Sequence, residues 1–445
     1  MNRFQLLHGN CLEILRTLPA DSVDCCVTSP PYYGVRDYGV RATIWTSADN
    51  FCSHEIETLT YRRRSNDNKG NKGTEKQYTS NGTKNRDKPI ETGCCVKCGA
   101  WYGCFGLEPT PQLYVNHSVM VFREVHRVLK PGATLWLVIS DSYASGKGTC
   151  FNPGGGAASI EGYANKKSAG QYPLDRGNVK TLRASGLKPK DLIGVPWRVA
   201  FALQQDGWFL RSEITWCKTA PMPESVCDRP TSATEKIFLF SKSSRYFYDQ
   251  DNCRLASLNP EDDARRILER SRVGQKTNST KHINGIRPRS DKQRGHSRRH
   301  AGFNERWDLM SKSQQMANGA NLRNFWILGP EPFTEAHFAT YPSEIPRRAI
   351  LLGSSERGCC CKCGAPWIRQ NARDAGSRDT GWVATCSHDA GVEPCTVLDP
   401  FAGAGTTGKV ALDLGRKVIL IELNPDYCEL TDKRSNRVNL GLPLP

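Results

Sequence analysis

The sequence predicts an α/β protein, built as one doubly wound domain that long polar insertions interrupt. Two observations support this fold class. Short apolar runs alternate with segments of helical spacing at both ends of the chain, as strand–helix–strand units do. Near the C-terminus, a turn rich in glycine, Gly403 to Gly408, follows one such run and precedes a helical segment.

Apolar spacing predicts the elements of this domain in chain order. Short apolar runs bounded by turn residues indicate strands, and apolar faces that repeat every three or four residues indicate helices. The predicted elements are strand Phe4 to Leu7, helix Cys11 to Leu18, strand Val23 to Val27, helix Val115 to Leu129, strand Thr134 to Ile139, helix Leu192 to Leu203, strand Glu213 to Cys217, strand Lys236 to Phe240, strand Thr396 to Leu398, helix Lys409 to Leu414 and strand Lys417 to Ile421. Pro131-Gly132 is expected to end the second helix before its strand begins.

Polar stretches rich in Gly, Ser, Asn, Lys and Arg divide this core. The core is expected to comprise residues 1–46, 105–141, 191–250, 324–358 and 396–440 together. The interruptions are a basic, mostly irregular insertion at 47–104, a Gly- and Lys-rich loop at 142–190, a basic segment at 251–323 and a Cys-rich insertion at 359–395.

Charge and cysteine content restrict the class of protein. Lys and Arg number 61 against 45 Asp and Glu, a net charge of +16, which favours a polyanionic partner such as nucleic acid. Apolar runs of bilayer length and a secretion signal are both missing from the sequence, so we expect no membrane association and a reducing cytoplasm. In that compartment the 19 cysteines are not expected to form disulfides, and metal binding becomes the leading explanation for an ordered cluster.

The glycine-rich turn indicates a nucleoside ligand. Residues 396–408 read TVLDPFAGAGTTG, with Asp399 at the end of a strand. Glycines allow the backbone to approach a ligand closely, and Glu422 at the end of the next strand can accept hydrogen bonds from both hydroxyls of a ribose. The turn lacks the Lys-Ser or Lys-Thr pair of a triphosphate loop and the glycine spacing of a dinucleotide site. Adenosylmethionine therefore fits better, and a tight turn without ligand is the alternative.

A second loop suits chemistry on an amino group. Residues 28–32 read Thr-Ser-Pro-Pro-Tyr, directly after a predicted strand. Two prolines fix the backbone and remove amide donors, so the carbonyl oxygens remain as acceptors. Ser29 and the Pro30 carbonyl would stabilise the charge that develops as a nitrogen attacks a methyl sulfonium, while Tyr32 stacks on a flipped base. A rigid turn at a strand end is the alternative, and its pairing with the glycine-rich turn argues against it.

Together these loops resemble those of the β-class DNA amino-methyltransferases, in which a TSPPY-type loop precedes the cofactor loop. The segments HFATYPSEIPRRAI, LKPGATLWLVISDSY and MPESVCDRPTSATEKIFLFSKS also resemble the family's core. The resemblance implies a Rossmann-like, adenosylmethionine-dependent methyltransferase sheet. It further implies a catalytic loop formed by Ser29, Pro30, Pro31 and Tyr32, and a cofactor site lined by Asn10, Phe338, Asp399, Phe401, Gly403, Gly405, Thr406 and Glu422.

The resemblance also bears on which base is modified. Serine at position 29 resembles the cytosine-N4 members, whereas Asp is commoner there among adenine-N6 members, so we predict cytosine N4 with adenine N6 as the alternative. Asn10 and Thr234 depart from the family pattern, which often has Asp and His at these places, and no function is assigned to Thr234 and Glu235. Carbon-5 methylation would need the cysteine of a Pro-Cys pair, but Pro394-Cys395 lies at the entrance of its strand, out of reach of that chemistry.

Two near-identical cysteine motifs predict zinc knuckles. The sequences Cys-Val-Lys-Cys-Gly-Ala-Trp, from Cys95, and Cys-Cys-Lys-Cys-Gly-Ala-Pro-Trp, from Cys360, each have a Cys-Ser-His companion. Two thiolates from a tight turn plus Cys and His from a second segment form a closed tetrahedral site, so we predict about two structural zinc ions per chain. The expected ligands are Cys52, His54, Cys95 and Cys98 for one site and Cys360, Cys363, Cys386 and His388 for the other. Cys94, Cys104 and Cys395 could substitute, and buried or free thiols are the alternative.

The predicted protein is thus a methyltransferase with basic-loop and zinc-knuckle insertions that acts on double-stranded DNA. Residues 251–323 are expected to recognise the target, because such enzymes carry base-reading elements outside the core. Methylation of RNA or of a protein amide is a second hypothesis, and a non-catalytic zinc-ribbon protein that binds nucleic acid is a third. The sequence leaves open whether the protein is a homodimer and whether a restriction nuclease accompanies it.

Overall fold

The computed structural model describes residues 3–35, 38–46, 51–61, 90–144, 186–255, 321–331, 341–369 and 381–439. The strands are β1 Phe4–His8, β2 Val23–Thr28, β3 Thr43–Trp45, β4 Ile56–Tyr61, β5 Ile90–Cys95, β6 Trp101–Gly103, β7 Leu129–Ile139, β8 Phe209–Lys218, β9 Thr234–Ser241, β10 Phe325–Leu328, β11 Cys359–Cys360, β12 Trp367–Arg369, β13 Trp382–Ala384, β14 Val392–Glu393, β15 Thr396–Asp399 and β16 Lys417–Glu422. The α-helices are α1 Cys11–Thr17, α2 Pro111–Val128, α3 Val195–Gln205, α4 Glu344–Gly353, α5 Thr406–Asp413 and α6 Pro425–Asn439.

An eight-stranded mixed sheet forms the centre, which confirms the predicted α/β class. Its strand order is β1-β16-β15-β2-β7-β9-β8-β10. Every neighbouring pair is parallel except the two that involve β9, which runs antiparallel to β7 and to β8. The carboxyl ends of the other seven strands therefore meet at one edge of the sheet, and the first residues of β9 lie at that same edge.

The direction of the connections produces two helical layers and a switch point between β15 and β2. The chain moves across the sheet in one direction from β1 through β2 and β7 to β8, and in the opposite direction from β15 to β16. Right-handed crossovers therefore lay α1, α2 and α3 on one face and α5 on the other, where α5 packs against α4 and α6. Ligands of such sheets bind at the carboxyl ends of the strands that flank the switch point.

Several element boundaries differ from the sequence-based expectation, and two of them have a clear physical reason. Strand β7 begins at Leu129 rather than after Pro131-Gly132, because Leu129 pairs with Val23 before an irregularity in the register. Helix α2 begins four residues earlier than its apolar pattern, at Pro111, where the Thr110 hydroxyl accepts a hydrogen bond from the amide of Leu113 and caps the helix.

The first insertion contains more regular structure than expected. Its described residues form a four-stranded antiparallel sheet in the order β3-β6-β5-β4, and β3 itself belongs to the end of the preceding core segment. The chain divides into two compact units, Met1–Asp249 with Asn324–Pro445, and Gln250–Arg323. Of the second unit the structure describes little beyond a short 3-10 helix, Gln250–Cys253. Within the described residues, no helix combines the length and the apolarity needed to cross a bilayer.

Candidate active site

The Thr-Ser-Pro-Pro-Tyr loop begins at the switch point, where β2 ends beside β15. The buried Thr28 hydroxyl donates a hydrogen bond to the Asp399 carboxylate, with Oγ1 and Oδ1 2.6 Å apart. Ser29 follows, half-buried, and Pro30 is buried. No donor among the described residues is bonded to the Pro30 carbonyl oxygen. The loop thus carries one hydroxyl and one backbone carbonyl at the position where ligands of this fold bind.

Tyr114 and Gly106 support this loop from beneath. Tyr114 of α2 is fully buried, and its hydroxyl donates to the carbonyl oxygen of Pro31 at 2.9 Å. Gly106 has a φ of +90°, and a Cβ there would lie 3.1 Å from the Cβ of Pro31. Neither residue was predicted from the sequence. A tyrosine on the buried face of a helix was the available signal, because its hydroxyl requires a polar partner.

A chain of hydrogen bonds leads from the loop to the antiparallel strand β9. The Ser29 hydroxyl donates to the Tyr32 hydroxyl at 3.1 Å, and the Tyr32 hydroxyl donates to Oε2 of Glu235 at 2.6 Å. The other oxygen of Glu235 accepts from the Lys218 ammonium at 2.5 Å. Burial and the neighbouring Glu235 carboxylate raise the pKa of Tyr32 well above its usual value. Glu235, to which the sequence analysis assigned no function, therefore contacts a predicted catalytic residue.

The glycine-rich turn is closed by Glu422. The amide of Gly403 donates to Oε2 of Glu422 at 2.7 Å, and the amide of Asn424 donates to Oε1 at 2.8 Å. Burial raises the pKa of Glu422 to about 7, although these two amides favour the charged form. Gly405 has a φ of +72°, and a Cβ there would lie 2.7 Å from the Cγ2 of Thr431, so only glycine fits without rearrangement. The glycine-rich turn thus holds the Glu422 carboxylate against its own backbone amide.

Asp399 connects the two loops rather than facing solvent. It is 1% exposed, and besides Thr28 its carboxylate accepts from the Phe401 amide at 3.0 Å and from the Thr407 hydroxyl at 2.7 Å. The Tyr341 hydroxyl lies 3.4 Å from the same carboxylate. Burial raises the pKa of Asp399, against the effect of these donors. Thr407 and Tyr341 are two site residues that the sequence analysis missed.

The other predicted cofactor residues that the structure describes lie at the same edge of the sheet. Asn10 caps α1, since its Oδ1 accepts from the Leu12 amide at 2.8 Å, and its Nδ2 donates to the Thr43 hydroxyl at 3.1 Å. Thr406 is the buried first residue of α5. Phe338 lies outside the described residues.

Phe105 links both loops to the first insertion. Its ring stacks on Tyr114 at 5.0 Å, on Phe401 at 5.7 Å and on Trp45 at 4.9 Å between ring centroids. Trp45 is the last residue of β3 in the four-stranded sheet. One aromatic cluster therefore joins the glycine-rich turn, the support of the Thr-Ser-Pro-Pro-Tyr loop and the insertion sheet.

The structure brings together each of the two predicted sets of metal ligands. Cys52, His54, Cys95 and Cys98 form one cluster, and Cys360, Cys363, Cys386 and His388 form the other. The ligand atoms within each cluster lie within 4.8 Å of one another. In the first cluster the sulfurs of Cys52 and Cys95 are 3.7 Å apart. Two sulfurs about 2.3 Å from a tetrahedral metal would be separated by roughly 3.8 Å, so this donor set fits zinc.

The two knuckles have the same backbone geometry. The amide of Gly99 donates to the Cys95 carbonyl at 2.8 Å, and the amide of Gly364 donates to the Cys360 carbonyl at 2.8 Å. The two glycines have φ values of +74° and +70°. Because the left-handed conformation favours glycine, the repeated Cys-x-x-Cys-Gly motif specifies this turn in both insertions.

A third cysteine cluster lies at the opposite edge of the core sheet. Asp24, Cys359 and Cys395 are buried together, and the Lys130 ammonium lies 2.8 Å from Asp24 and 3.6 Å from the sulfur of Cys359. Because Lys130 already supplies the positive charge that a metal would bring, we interpret this cluster as an internal ion pair. Cys395 directly precedes β15, away from the catalytic loop, which agrees with its exclusion as a carbon-5 nucleophile.

Comparison with known proteins identifies similar chains over nearly the whole length. A family model described as DNA methylase, of the N6/N4 methyltransferase type, matches residues 23–433. The chain is 31% identical to the type II methyltransferase M.XycI of Xanthomonas campestris pv. cyanopsidis, with 96% of this chain and 86% of the relative covered. It is 29% identical to M.Cfr9I of Citrobacter freundii, with coverages of 98% and 88%, and 30% identical to M.SmaI of Serratia marcescens, with coverages of 97% and 90%. Among solved structures, the cytosine-N4-specific PvuII DNA methyltransferase is 14% identical with a TM-score of 0.41, covering 99% of this chain and 94% of its own.

Proposed function

The chain belongs to the N6/N4 DNA methylase family and is an enzyme of that kind, and on this premise we propose that it transfers the methyl group of S-adenosylmethionine to N4 of a cytosine flipped out of double-stranded DNA. One observation carries the proposal. The hydrogen bond between Thr28 and Asp399 joins the start of the Ser-Pro-Pro-Tyr loop to the glycine-rich turn at the switch point of the sheet.

Adenosylmethionine, when bound, supplies an electrophilic methyl group. The carboxylate of Glu422 would accept hydrogen bonds from the ribose hydroxyls, and the ring of Phe401 would contact the adenosine. The glycines at 403 and 405 let the backbone approach the ligand. Asn10, the cap of α1, and Thr406, the first residue of α5, would line the same pocket, and the assignment of Phe338 to it rests on the sequence resemblance alone.

The catalytic loop would hold the target amino group through its two hydrogens. The Ser29 oxygen and the Pro30 carbonyl oxygen are the acceptors, and both gain strength as the attacking nitrogen becomes positive. A carboxylate in place of Ser29 would be a stronger acceptor, suited to adenine N6, whereas the hydroxyl favours cytosine N4. Adenine N6 is the alternative product.

Two zinc ions would be structural. Each Cys3His set offers four ligands and no open position, so the metal would hold an insertion in shape rather than activate a substrate. In a reducing compartment the cysteines stay as thiols that can bind metal rather than forming disulfides. We therefore place the protein in the cytoplasm, a location that also fits DNA as the substrate.

Target recognition is assigned to residues 251–323, of which 256–320 lie outside the described residues. The net charge of +16 supports a DNA partner. The relatives are named type II methyltransferases, and by that likeness the protein would take part in a restriction–modification pair.

Nucleoside analysis tests the proposal directly. Unmodified DNA is incubated with the purified chain and adenosylmethionine, digested to nucleosides and analysed by mass spectrometry. N4-methylcytosine is expected, and Ser29→Asp should lower its yield. N6-methyladenine alone would overturn the base assignment, and the absence of any methylated base would overturn the proposed function.

A further inference from the structure

Glu235 lies at the end of a hydrogen-bonded path that starts at the catalytic loop. Resting on the function proposed above, we propose that Glu235 receives the proton that the target amino group loses during methylation, and that this proton passes through Ser29 and Tyr32. Glu235 does not touch the substrate in this scheme. It acts through the two loop residues, so it is a positioning and proton-accepting residue behind the site.

The orientation of the hydrogen bonds supports this path. Each hydroxyl donates toward Glu235: Ser29 donates to Tyr32, and Tyr32 donates to Oε2 of the carboxylate, over distances of 3.1 and 2.6 Å. Because its hydrogen points to Tyr32, the Ser29 oxygen keeps its lone pairs for the hydrogens of an incoming amino group. The path therefore begins with an acceptor at the loop and ends at a carboxylate.

The surroundings of Glu235 fit an acceptor shielded from solvent. The residue is 8% exposed, and its second oxygen is paired with the ammonium of Lys218. The antiparallel direction of β9 brings Glu235, as the second residue of that strand, to the catalytic edge of the sheet. A tyrosine that only needed an anchor could bond to a neutral acceptor, whereas this site holds a buried carboxylate beside a partly exposed ammonium.

The proposed step balances in atoms and charge. The amino nitrogen forms its bond to the methyl carbon as the bond from that carbon to sulfur breaks, and the sulfur keeps the electron pair. The nitrogen, now cationic, gives one proton to the Ser29 oxygen, while the Ser29 hydrogen moves to Tyr32 and the Tyr32 hydrogen moves to Glu235. Ser29 and Tyr32 end as they began, and Glu235 ends protonated until it exchanges with solvent.

Single-turnover methylation separates this role from a structural one. Tritiated methyl transfer to unmodified genomic DNA is measured for the unsubstituted chain, Glu235→Gln, Tyr32→Phe and the double variant, with adenosylmethionine affinity measured by calorimetry. The control is Glu213→Gln, because Glu213 of β8 forms a comparable pair with Lys236 of β9, with Oε1 and Nζ 2.5 Å apart, and contacts no residue of the catalytic loop in the described structure.

We expect Glu235→Gln to lower the transfer rate about 100-fold with cofactor affinity and the control variant unchanged. The double variant should be no slower than the slower single variant, because both interrupt one path. Glu235→Gly is measured as a further variant, and added formate should restore part of its rate, whereas chloride at equal ionic strength should not.

Three results would overturn the proposal: unchanged rates in Glu235→Gln, additive losses in the double variant, or no effect of formate on a folded Glu235→Gly protein that binds the cofactor. Failure of the unsubstituted chain to transfer any methyl group would instead overturn the proposed function, and the proton path with it.

Discussion

The Thr28 hydroxyl and the Asp399 carboxylate form a buried hydrogen bond of 2.6 Å across 371 residues of sequence. Thr28 ends the strand that leads into the catalytic loop, and Asp399 ends the strand that leads into the cofactor turn. The bond therefore fixes the distance between the two loops, on which methyl transfer depends.

Replacing Thr28 by Val should disturb both stability and function. The change removes one of the donors to Asp399 while preserving shape, and we expect a loss of about 1–3 kcal/mol in the free energy of unfolding. Urea unfolding measures this loss, and calorimetry should show weaker adenosylmethionine binding. The control is Thr17→Val, since the exposed Thr17 hydroxyl donates to the Ile14 carbonyl of its own helix. Equal effects of the two changes would contradict the junction role of Thr28.

Glu422→Gln should weaken cofactor binding and remove its pH dependence. A charge-assisted contact to the ribose contributes on the order of 1.5–3 kcal/mol, and only the carboxylate provides it. Because burial raises the pKa of Glu422 to about 7, the affinity of the unsubstituted chain for adenosylmethionine should increase as the pH rises through that value. Calorimetry across this range measures both effects. If the affinity of the unsubstituted chain for adenosylmethionine did not change with pH, Glu422 would not belong to the site.

The raised pKa of Glu422 also predicts that the stability of the ligand-free protein depends on pH. The pKa of Glu422 is higher in the folded chain, about 7, than its ordinary value of 4.5, so the folded state keeps a proton that the unfolded state releases between these values. Its contribution to the free energy of unfolding is therefore fully present below pH 4.5 and is lost as the pH rises through about 7. The difference between Glu422→Gln and the unsubstituted chain in urea unfolding should change across this window, and a constant difference would contradict the assignment.

Gly106→Ala should slow methylation without affecting metal or cofactor binding. The new Cβ would lie 3.1 Å from the Cβ of Pro31 and 3.2 Å from the carbonyl oxygen of Tyr32, so the catalytic loop must move. A displacement of this kind typically costs on the order of 100-fold in rate. Gly207→Ala is the matched control, because Gly207 has a similar φ of +102° but open space around its Cβ position. Both variants should lose about 1–2 kcal/mol of stability, and equal losses of activity would show that strain alone is responsible.

Metal analysis should find about two zinc ions per chain, and Cys98→Ala or Cys363→Ala should each remove one of them. Both changes should also lower the unfolding temperature, because the insertion loses its cross-link. Cys227→Ala is the control, since Cys227 is exposed and belongs to neither cluster. Protein purified without chelator that contains no zinc would refute the zinc assignment.

The sequence by itself determined the local devices of this protein. The glycines of the cofactor turn, the two prolines of the catalytic loop and the two Cys-x-x-Cys-Gly knuckles each depend on backbone freedom or ligand chemistry within a few residues. Such devices can be recognised from spacing alone, and the companion Cys-Ser-His segments lie close enough in the chain to be paired with them.

Only the tertiary structure decided which distant residues meet. Glu235 reaches Tyr32 across 203 residues because β9 runs antiparallel and so brings its first residues to the catalytic edge, where the parallel strands end. Tyr114 reaches Pro31 because α2 packs against β7, the strand beside β2. An apolar strand pattern specifies that a strand is buried but carries no information about its neighbours or its direction, and those two properties determine which polar side chains surround the site.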